Sequence, residues 1–165
     1  MWTVLKFDKK ALGLLTKGLK EKLGKDLQIY TPKLRIQKYH NNKLINKELN
    51  LLGDYMFCFH KDLKYQNTIN SLRFVRGLKY FLDDFNRSQK DLEEFIKKCK
   101  DSESEEGFIS RDFFDLYLNK KYKFASGPFS DKIFQIINLQ RNKIKVLIGS
   151  IKTTIKRKEF LFTPV

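Results

Sequence analysis

Side chains that could do covalent chemistry are few in this sequence and lie apart from one another. His40 falls in a predicted turn and His60 at the end of a predicted strand, with no cysteine or carboxylate at metal-ligand spacing. The carboxylate pairs Asp83-Asp84 and Glu93-Glu94 are adjacent in sequence, so their members point apart and do not suit general acid–base work. The sequence has no glycine-rich phosphate loop and no nucleophile elbow. We therefore predict a protein that is not an enzyme and that uses no metal or cofactor.

The chemistry that the composition favours is binding to a polyanion. The chain has 34 Lys and Arg against 19 Asp and Glu, a formal net charge of +15, which favours nucleic acid through steering and counterion release. A lysine-rich composition inherited from an AT-rich genome is the alternative. The charge is segregated, however: residues 1–100 carry 22 basic and 11 acidic groups, residues 101–118 carry 1 and 6, and residues 119–165 carry 11 and 2. Codon bias alone does not produce such segregation, so we predict a polyanionic partner.

The cysteine count and the hydrophobic pattern indicate the compartment. Cys58 and Cys99 are the two cysteines and form no CxxC pair, so neither a disulfide framework nor a zinc knuckle is predicted. The N-terminal stretch is charged too early for a signal peptide. No run of about 18 apolar residues occurs. We predict a soluble, cytoplasmic, monomeric protein.

Residues 51–60 are the stretch around which the chain is organised. Tyr55, Phe57 and Phe59 alternate with Met56 and Cys58, so both sides of the predicted strand are apolar. A strand of this kind is covered on two faces, and here it follows a Gly-Asp turn. Leu51 and Leu52 lie ahead of this turn, where a core cannot easily accommodate both side chains. We therefore predict an apolar patch at the rim of a sheet.

Elements of alternating type surround this strand. Alternation predicts strands over residues 2–7, 27–39 (interrupted by a proline), 44–49 and 77–82. Helical spacing predicts helices over residues 10–24, 62–72 and 88–100, the first with a stripe of Leu12, Leu15, Leu19 and Leu23. This order favours an α/β sandwich with a mostly antiparallel sheet over residues 1–100.

The composition changes after residue 100. Residues 101–118 are acidic and polar, which is typical of a linker. Residues 119–165 contain five short alternating runs separated by turns, which predicts a small five-stranded β-barrel. Helices over residues 131–140 and 143–158 fit the same apolar positions in part, so that alternative stays open. The predicted fold class is thus α+β, with a sandwich, an acidic linker and a barrel.

Two motifs and the module order resemble the NusG family of transcription elongation factors. Residues 52–57, Leu-Gly-Asp-Tyr-Met-Phe, resemble the family's Phe-Pro-Gly-Tyr-Val-Phe signature, and Trp2 matches its opening aromatic strand. Gly127, Pro128 and Phe129 match the turn of the family's KOW domain. Asp131 replaces the next glycine, which a left-handed backbone would accommodate. The resemblance covers nearly the whole chain. Residues 65–70, 76–78 and 151–160 are closer to RfaH, the operon-specific antitermination paralogue.

The resemblance implies a factor that binds the RNA polymerase clamp and suppresses pausing or termination. Two groups of side chains would contact the polymerase: Leu52, Tyr55, Phe57, Phe95 and Ile96 on the clamp helices, and Tyr65, Gln66 and Asn67 across the cleft. Alternatively, Phe57 and Ile96 are plain core, and residues 65–67 are an ordinary polar helix start. The binding energy would favour the closed, elongating state of the polymerase.

The resemblance also implies contacts with nucleic acid and with a further protein. The cations that would meet the exposed non-template DNA strand, chiefly at phosphates, are Lys10, Lys17, Lys20, Arg73 and Arg76; the alternative is a solvated basic face. The barrel would contact a ribosomal protein, which couples transcription to translation, or the termination factor Rho. In RfaH-like members it can fold instead as a helical hairpin that masks the apolar patch. Two other interpretations are a KOW-type RNA-binding accessory protein of the ribosome and an antiterminator of a phage or mobile element.

Overall fold

The computed structural model describes residues 1–111 and 113–165. The chain divides into two compact units, residues 1–32 with 50–100 and residues 33–49 with 101–165. Within the described residues the fold combines three α-helices with antiparallel sheets, so the predicted α+β class is confirmed. No helix among those residues is both long and apolar enough to cross a membrane.

The helices and strands follow one another along the chain in this order: β1 (Trp2–Phe7), α1 (Leu12–Leu23), β2 (Gln28–Tyr30), β3 (Lys33–His40), β4 (Lys43–Asn50), β5 (Tyr55–Phe59), α2 (Gln66–Leu72), β6 (Leu78–Phe81), α3 (Gln89–Asp101), β7 (Lys121–Phe124), β8 (Ile133–Leu139), β9 (Lys143–Ile148), β10 (Ile151–Lys156) and β11 (Phe162–Pro164). Short 3-10 turns at Lys9–Ala11 and Lys61–Lys64 precede α1 and α2. All the predicted strands and helices are therefore present, with shifted ends.

The first unit is built on a four-stranded antiparallel sheet in the order β2-β5-β1-β6. One face of β5 carries Met56 and Cys58 into a core that also contains Leu15 and Leu19 of α1. The other face places Phe57 in a second cluster with residues of β1 and α3. The strand is thus covered on both faces, as its alternation predicts.

The predicted leucine stripe of α1 is correct except at Leu12, since Leu15, Leu19 and Leu23 all pack against the core. Leu15 and Leu19 are fully buried, whereas Leu12 is 38% exposed and Leu23 is half-buried. The reason lies at the start: Asp8 accepts a hydrogen bond from the Lys10 N–H and opens a 3-10 turn, so the α-helix begins two residues later than predicted. The helix ends at Gly24, whose φ of +83° suits glycine.

The second unit contains a five-stranded antiparallel sheet in the order β10-β9-β8-β7-β11. Its inward side chains form one core, centred on Phe124 with Phe134 at 4.4 Å and Phe162 at 5.5 Å between ring centroids. In β9, Ile144 and Val146 are buried while the flanking lysines are exposed, which is a period of two. The helical alternative for residues 131–140 and 143–158 is therefore wrong for this structure.

The β3–β4 hairpin packs with the second unit, whereas the sequence placed it with residues 1–100. The Gln37 N–H donates to the Ala125 carbonyl at 2.6 Å, and the Ile109 N–H donates to the Lys33 carbonyl at 2.8 Å. The guanidinium of Arg35 pairs with Glu106 and lies 4.2 Å from the centroid of the Phe108 ring. Part of the acidic segment is thus held against the hairpin by an ion pair and a backbone hydrogen bond, and that part is not a flexible linker.

Both cysteines are expected to resist alkylation in the folded protein. Cys58 is 1% exposed and Cys99 is fully buried, and burial raises the pKa of the Cys58 thiol to about 12. Because the thiolate is the reactive form, neither access nor ionisation favours reaction of Cys58 at neutral or mildly alkaline pH, and burial alone protects Cys99. Iodoacetamide labelling followed by mass spectrometry should show modification in urea only. Rapid labelling of Cys58 in native buffer would contradict the packing of β5.

Candidate functional site

Three side chains lie side by side across the face of the first sheet that also carries Phe57. Lys6 of β1 stands opposite Tyr55 of β5 on one side and Tyr80 of β6 on the other. We call this set the open row. Its lysine Nζ lies 5.3 Å from the centroid of the Tyr55 ring and 5.7 Å from that of Tyr80. The two tyrosine hydroxyl oxygens are 3.0 Å apart, so the open row is a cation framed by two hydrogen-bonded phenols.

The electrostatics of the open row follow from these contacts. Interaction with Tyr55, and next with Tyr80, raises the pKa of the Lys6 ammonium. The hydrogen bond with Tyr80 raises the pKa of Tyr55, and the same bond lowers the pKa of Tyr80. The lysine therefore stays charged at physiological pH. The row offers a partner two aromatic rings around one positive charge, on a surface where Tyr80 is 45% exposed and Tyr55 is half-buried.

The turn that precedes β5 positions Leu52 beside this row. Gly53 has a φ of +63° and its N–H donates to the Asn50 carbonyl at 3.1 Å. A left-handed conformation of this kind favours glycine. The Asp54 carboxylate pairs with Lys9 at 2.8 Å, and this hydrogen bond lowers the pKa of Asp54. Leu52 is half-buried at the edge of the cluster that contains Phe57.

The structure separates the five predicted clamp-binding residues into two classes. Phe57 is 2% exposed and Ile96 is 3% exposed, so both are core residues, as the alternative interpretation held. Phe95 is half-buried, with its ring centroid 6.0 Å from that of Phe57. Leu52, Tyr55 and Phe95 are the members that a partner could touch. Phe57 and Ile96 would act by holding Tyr55 and Phe95 in place.

Tyr80 is a candidate that the sequence analysis missed. It lies on the same face as Tyr55 because both stand opposite Lys6, and this follows from the pairing register alone. Alternation along the strand did not signal it, because a register shift between Lys6 and Phe7 places Leu78 against the core that contains Met56 and Cys58, on the other face of the sheet from Tyr80. Leu82, two residues on, is 37% exposed and extends this surface.

The polar start of α2 lies in the same unit as the open row. Tyr65 precedes the helix and is 53% exposed, with the Lys64 Nζ 4.8 Å from its ring centroid. Gln66 and Asn67 are exposed in the first turn. Gln66 and Tyr80 both line a groove of about 510 Å³ between α2 and the segment after β6. The groove thus links the polar start of α2 to Tyr80 of the open row.

The five predicted DNA-binding cations come from two segments that pack together. A Cβ placed on Gly18 of α1 would stand 2.7 Å from Val75, and one on Gly77 would stand 2.8 Å from the Ala11 carbonyl oxygen. Glycine at position 18 leaves room for the Val75 side chain, and glycine at position 77 lets the two backbones approach closely. All five cations are exposed, and Lys17 forms a long ion pair of 3.9 Å with Glu21. The structure therefore brings the basic segments of α1 and residues 73–77 side by side.

Phe74 lies between two of these cations and was not predicted as a site residue. Its side chain is 89% exposed, while its neighbours Leu72 and Val75 are buried. It follows Arg73 directly and is two residues from Arg76. A fully presented aromatic ring flanked by arginines is the arrangement that stacks on bases of single strands. The sequence signal was a phenylalanine out of phase with the buried Leu72 and Val75.

The turn predicted from the KOW motif is present between β7 and β8. Gly127 has a φ of +80°, and a Cβ there would lie 2.4 Å from the Phe160 ring. Phe129 is 39% exposed, and its ring is tilted against that of Phe124 with 5.5 Å between the centroids. The carbonyl of Pro128 accepts a hydrogen bond from the Tyr39 hydroxyl at 3.2 Å. Asp131 has a φ of +69°, so it meets the condition under which aspartate can stand where the family has glycine.

Comparisons with known proteins were made by sequence and by structure. No family model and no curated protein matches the chain. The solved MjSpt4:Spt5 complex in conformation B is similar over 100% of this chain and 98% of its own, with 11% identity and a TM-score of 0.34. NusG of Thermotoga maritima, solved for its domain interaction, is similar over 94% of this chain and 91% of its own, with 18% identity and a TM-score of 0.36. NusG is also the family that the motifs resemble. At TM-scores this low the likenesses carry no further argument.

Proposed function

We propose that this protein is a soluble, cytoplasmic transcription elongation and antitermination factor that makes and breaks no covalent bond. Its first unit binds the clamp of RNA polymerase through Leu52, Tyr55, Tyr80 and Phe95. The α2 start, Tyr65 to Asn67, contacts the other side of the polymerase cleft. Bridging the cleft favours the closed state and so reduces pausing or termination.

The observation that carries this proposal is the open row beside Leu52. The core under Tyr55 is well packed, since Phe57 and Ile96 are both buried beneath it, so the ring is presented on a rigid base. Interfaces gain most of their energy from such anchored aromatic residues, surrounded by apolar contacts. The sequence motif around Tyr55 resembles the NusG signature, which supports RNA polymerase as the partner.

The second part of the proposal is that the basic segments of α1 and residues 73–77 hold the non-template DNA strand. Lys10, Lys17, Lys20, Arg73 and Arg76 are exposed on two segments that pack side by side. Cations of this kind bind phosphates without reading sequence. Phe74 adds a stacking surface for one base.

Replacing Phe74 with alanine is expected to weaken binding of the full chain to a single-stranded DNA oligonucleotide by about tenfold, because one stacked base contributes about 1–3 kcal/mol. The dependence of affinity on salt should stay the same, since no charge is lost. Arg73→Gln should instead reduce the slope of log K against log salt by about 0.7. Fluorescence anisotropy at several salt concentrations measures both quantities.

Phe74→Trp serves as the control, since it retains the ring. If Phe74→Ala and wild-type protein bind the oligonucleotide equally, the ring does not stack on a base.

The second unit would provide the contact with a ribosomal protein or with Rho. Support comes from the sequence match at Gly127, Pro128 and Phe129 and from the partial exposure of the Phe129 side chain. An RfaH-like, operon-specific role belongs to the same proposal and is supported by residues 65–70 and 76–78.

Co-purification with core RNA polymerase after nuclease treatment tests the proposed function. The factor should remain bound, because its main contact is apolar and does not depend on nucleic acid. Loss of the chain on nuclease treatment, together with retention on ribosomes, would favour the RNA-binding accessory instead.

A further inference from the structure

The outer surface of the β9–β10 hairpin carries a concentration of positive charge that the proposed function does not use. Arg141 lies in the turn before β9, and Lys143 and Lys145 alternate outward along that strand. Lys156 ends β10 and Arg157 follows it. Asn142 joins the two ends, since its carbonyl accepts from the Arg157 N–H at 2.9 Å. We call the set Arg141, Lys143, Lys145, Lys156 and Arg157 the basic face.

The pairing register sets two of these cations directly against each other. Lys143 stands opposite Lys156 across the β9–β10 ladder, and Lys145 stands opposite Thr154, whose side chain carries no charge. Like charges directly opposite in an antiparallel pair destabilise the sheet. The sequence therefore maintains an unfavourable arrangement at a position where any carboxylate would relieve it.

No acidic side chain neutralises the basic face within the described parts of the chain, 1–111 and 113–165. The nearest carboxylate in sequence, Glu159, accepts from the Lys156 backbone N–H at 3.3 Å and forms no ion pair there. Arg141, Lys143, Lys145, Lys156 and Arg157 likewise form no ion pair among these residues. The cations at the end of the hairpin line a cleft of about 430 Å³.

Protection of a sheet edge explains only part of this charge. Lysines on an edge strand discourage pairing with another chain, and β10 is an edge strand, which accounts for Lys156. It does not account for Lys143 and Lys145, because β9 is paired on both sides. Nor does it account for Arg141, which lies in a turn.

We propose that the basic face is a second nucleic-acid site, which binds the phosphodiester backbone of a single strand. A phosphate placed between Lys143 and Lys156 removes their mutual repulsion, and Arg141 and Arg157 can each bind a further phosphate with two N–H groups. The contacts are to the backbone, so binding is independent of base sequence. This site is separate from the cations of the first unit and does not depend on polymerase binding.

The test starts from a parent variant of the full chain in which Lys10, Lys17, Lys20, Arg73 and Arg76 are all replaced by glutamine, so that nucleic acid bound by the first unit does not mask the signal. Two variants, each with three further substitutions, are compared with this parent. The first variant has Lys143→Gln, Lys156→Gln and Arg157→Gln. The matched control loses the same charge from exposed positions elsewhere in the second unit, through Lys120→Gln, Lys121→Gln and Lys132→Gln. The probes are a fluorescent single-stranded RNA of about a dozen nucleotides, the DNA of the same sequence, and anionic lipid vesicles.

The first variant is expected to bind the oligonucleotide at least tenfold more weakly than its parent, with the slope of log K against log salt lower by about two. The control should keep most of the affinity and most of the salt slope of the parent. A variant with Lys143→Arg and Lys156→Arg, which keeps both charges, should also retain binding. Comparison of the RNA and DNA probes identifies which kind of nucleic acid the site prefers, and tight binding of either probe supports the site. An equal loss in both triple variants, unchanged binding in the first, or binding to vesicles alone would overturn the proposal.

Discussion

Replacing Tyr55 with alanine is expected to remove most of the effect of this protein on pausing by purified RNA polymerase. The ring is half-buried against a rigid core and hydrogen-bonded to Tyr80, which is the setting of an interface hot spot. Truncation of such a residue costs about 2 kcal/mol or more, at least a tenfold increase in Kd. At concentrations near the wild-type Kd, pause durations should return nearly to those without factor.

Two variants distinguish a lost contact from a lost fold. Tyr55→Phe keeps the ring and removes only the hydroxyl, so it should retain most of the activity. Tyr117→Ala removes a tyrosine that is 60% exposed in the second unit. This variant should suppress pausing as strongly as the wild-type protein does. If Tyr55→Ala suppresses pausing as well as Tyr117→Ala does, the open row is not the polymerase contact.

Replacing Phe124 with alanine is expected to cost about 3–5 kcal/mol of the free energy of unfolding of the second unit. The ring is fully buried and contacts the rings of Phe129, Phe134, Phe160 and Phe162. A loss of this size approaches the whole stability of many small domains. Native-state hydrogen exchange should therefore show lost protection in β7–β11, while β1 and β5 stay protected because they have a core of their own.

Phe129→Ala provides the comparison, because its ring is 39% exposed and packs on Phe124 from outside. Phe129→Ala should lower the free energy of unfolding of the second unit by well under half of the amount lost in Phe124→Ala. Equal loss of protection in β1 and β5 in the Phe124 variant would show that the two units do not unfold separately.

The sequence was sufficient to predict the strands in which apolar and polar or core-facing side chains alternate regularly. Residues 55–59 are apolar on both sides, and this pattern required a strand between two cores. Asp131 could be expected in a left-handed conformation because the motif places glycine there. At Leu12 the prediction was wrong, because the Asp8 cap starts a 3-10 turn that delays the helix.

Features that depend on pairing between distant segments could not be derived in the same way. The β3–β4 hairpin is joined to the KOW turn by the Gln37 side chain, which accepts from the Gly127 N–H at 2.7 Å across 90 residues of sequence. No local pattern indicates such a contact. Tyr80 became a site residue only once β6 was placed beside β1, and the exposure of Phe74 depends on which side of its segment packs against α1.

Photo-crosslinking from position 55 tests the central claim most directly. A benzophenone side chain in place of Tyr55, in the full chain mixed with core RNA polymerase after nuclease treatment, should crosslink to the polymerase subunit that forms the clamp. The same group at position 117 should give no such product. If neither position crosslinks to the polymerase while the chain is folded, or if both do so equally, the surface around Tyr55 is not the docking site.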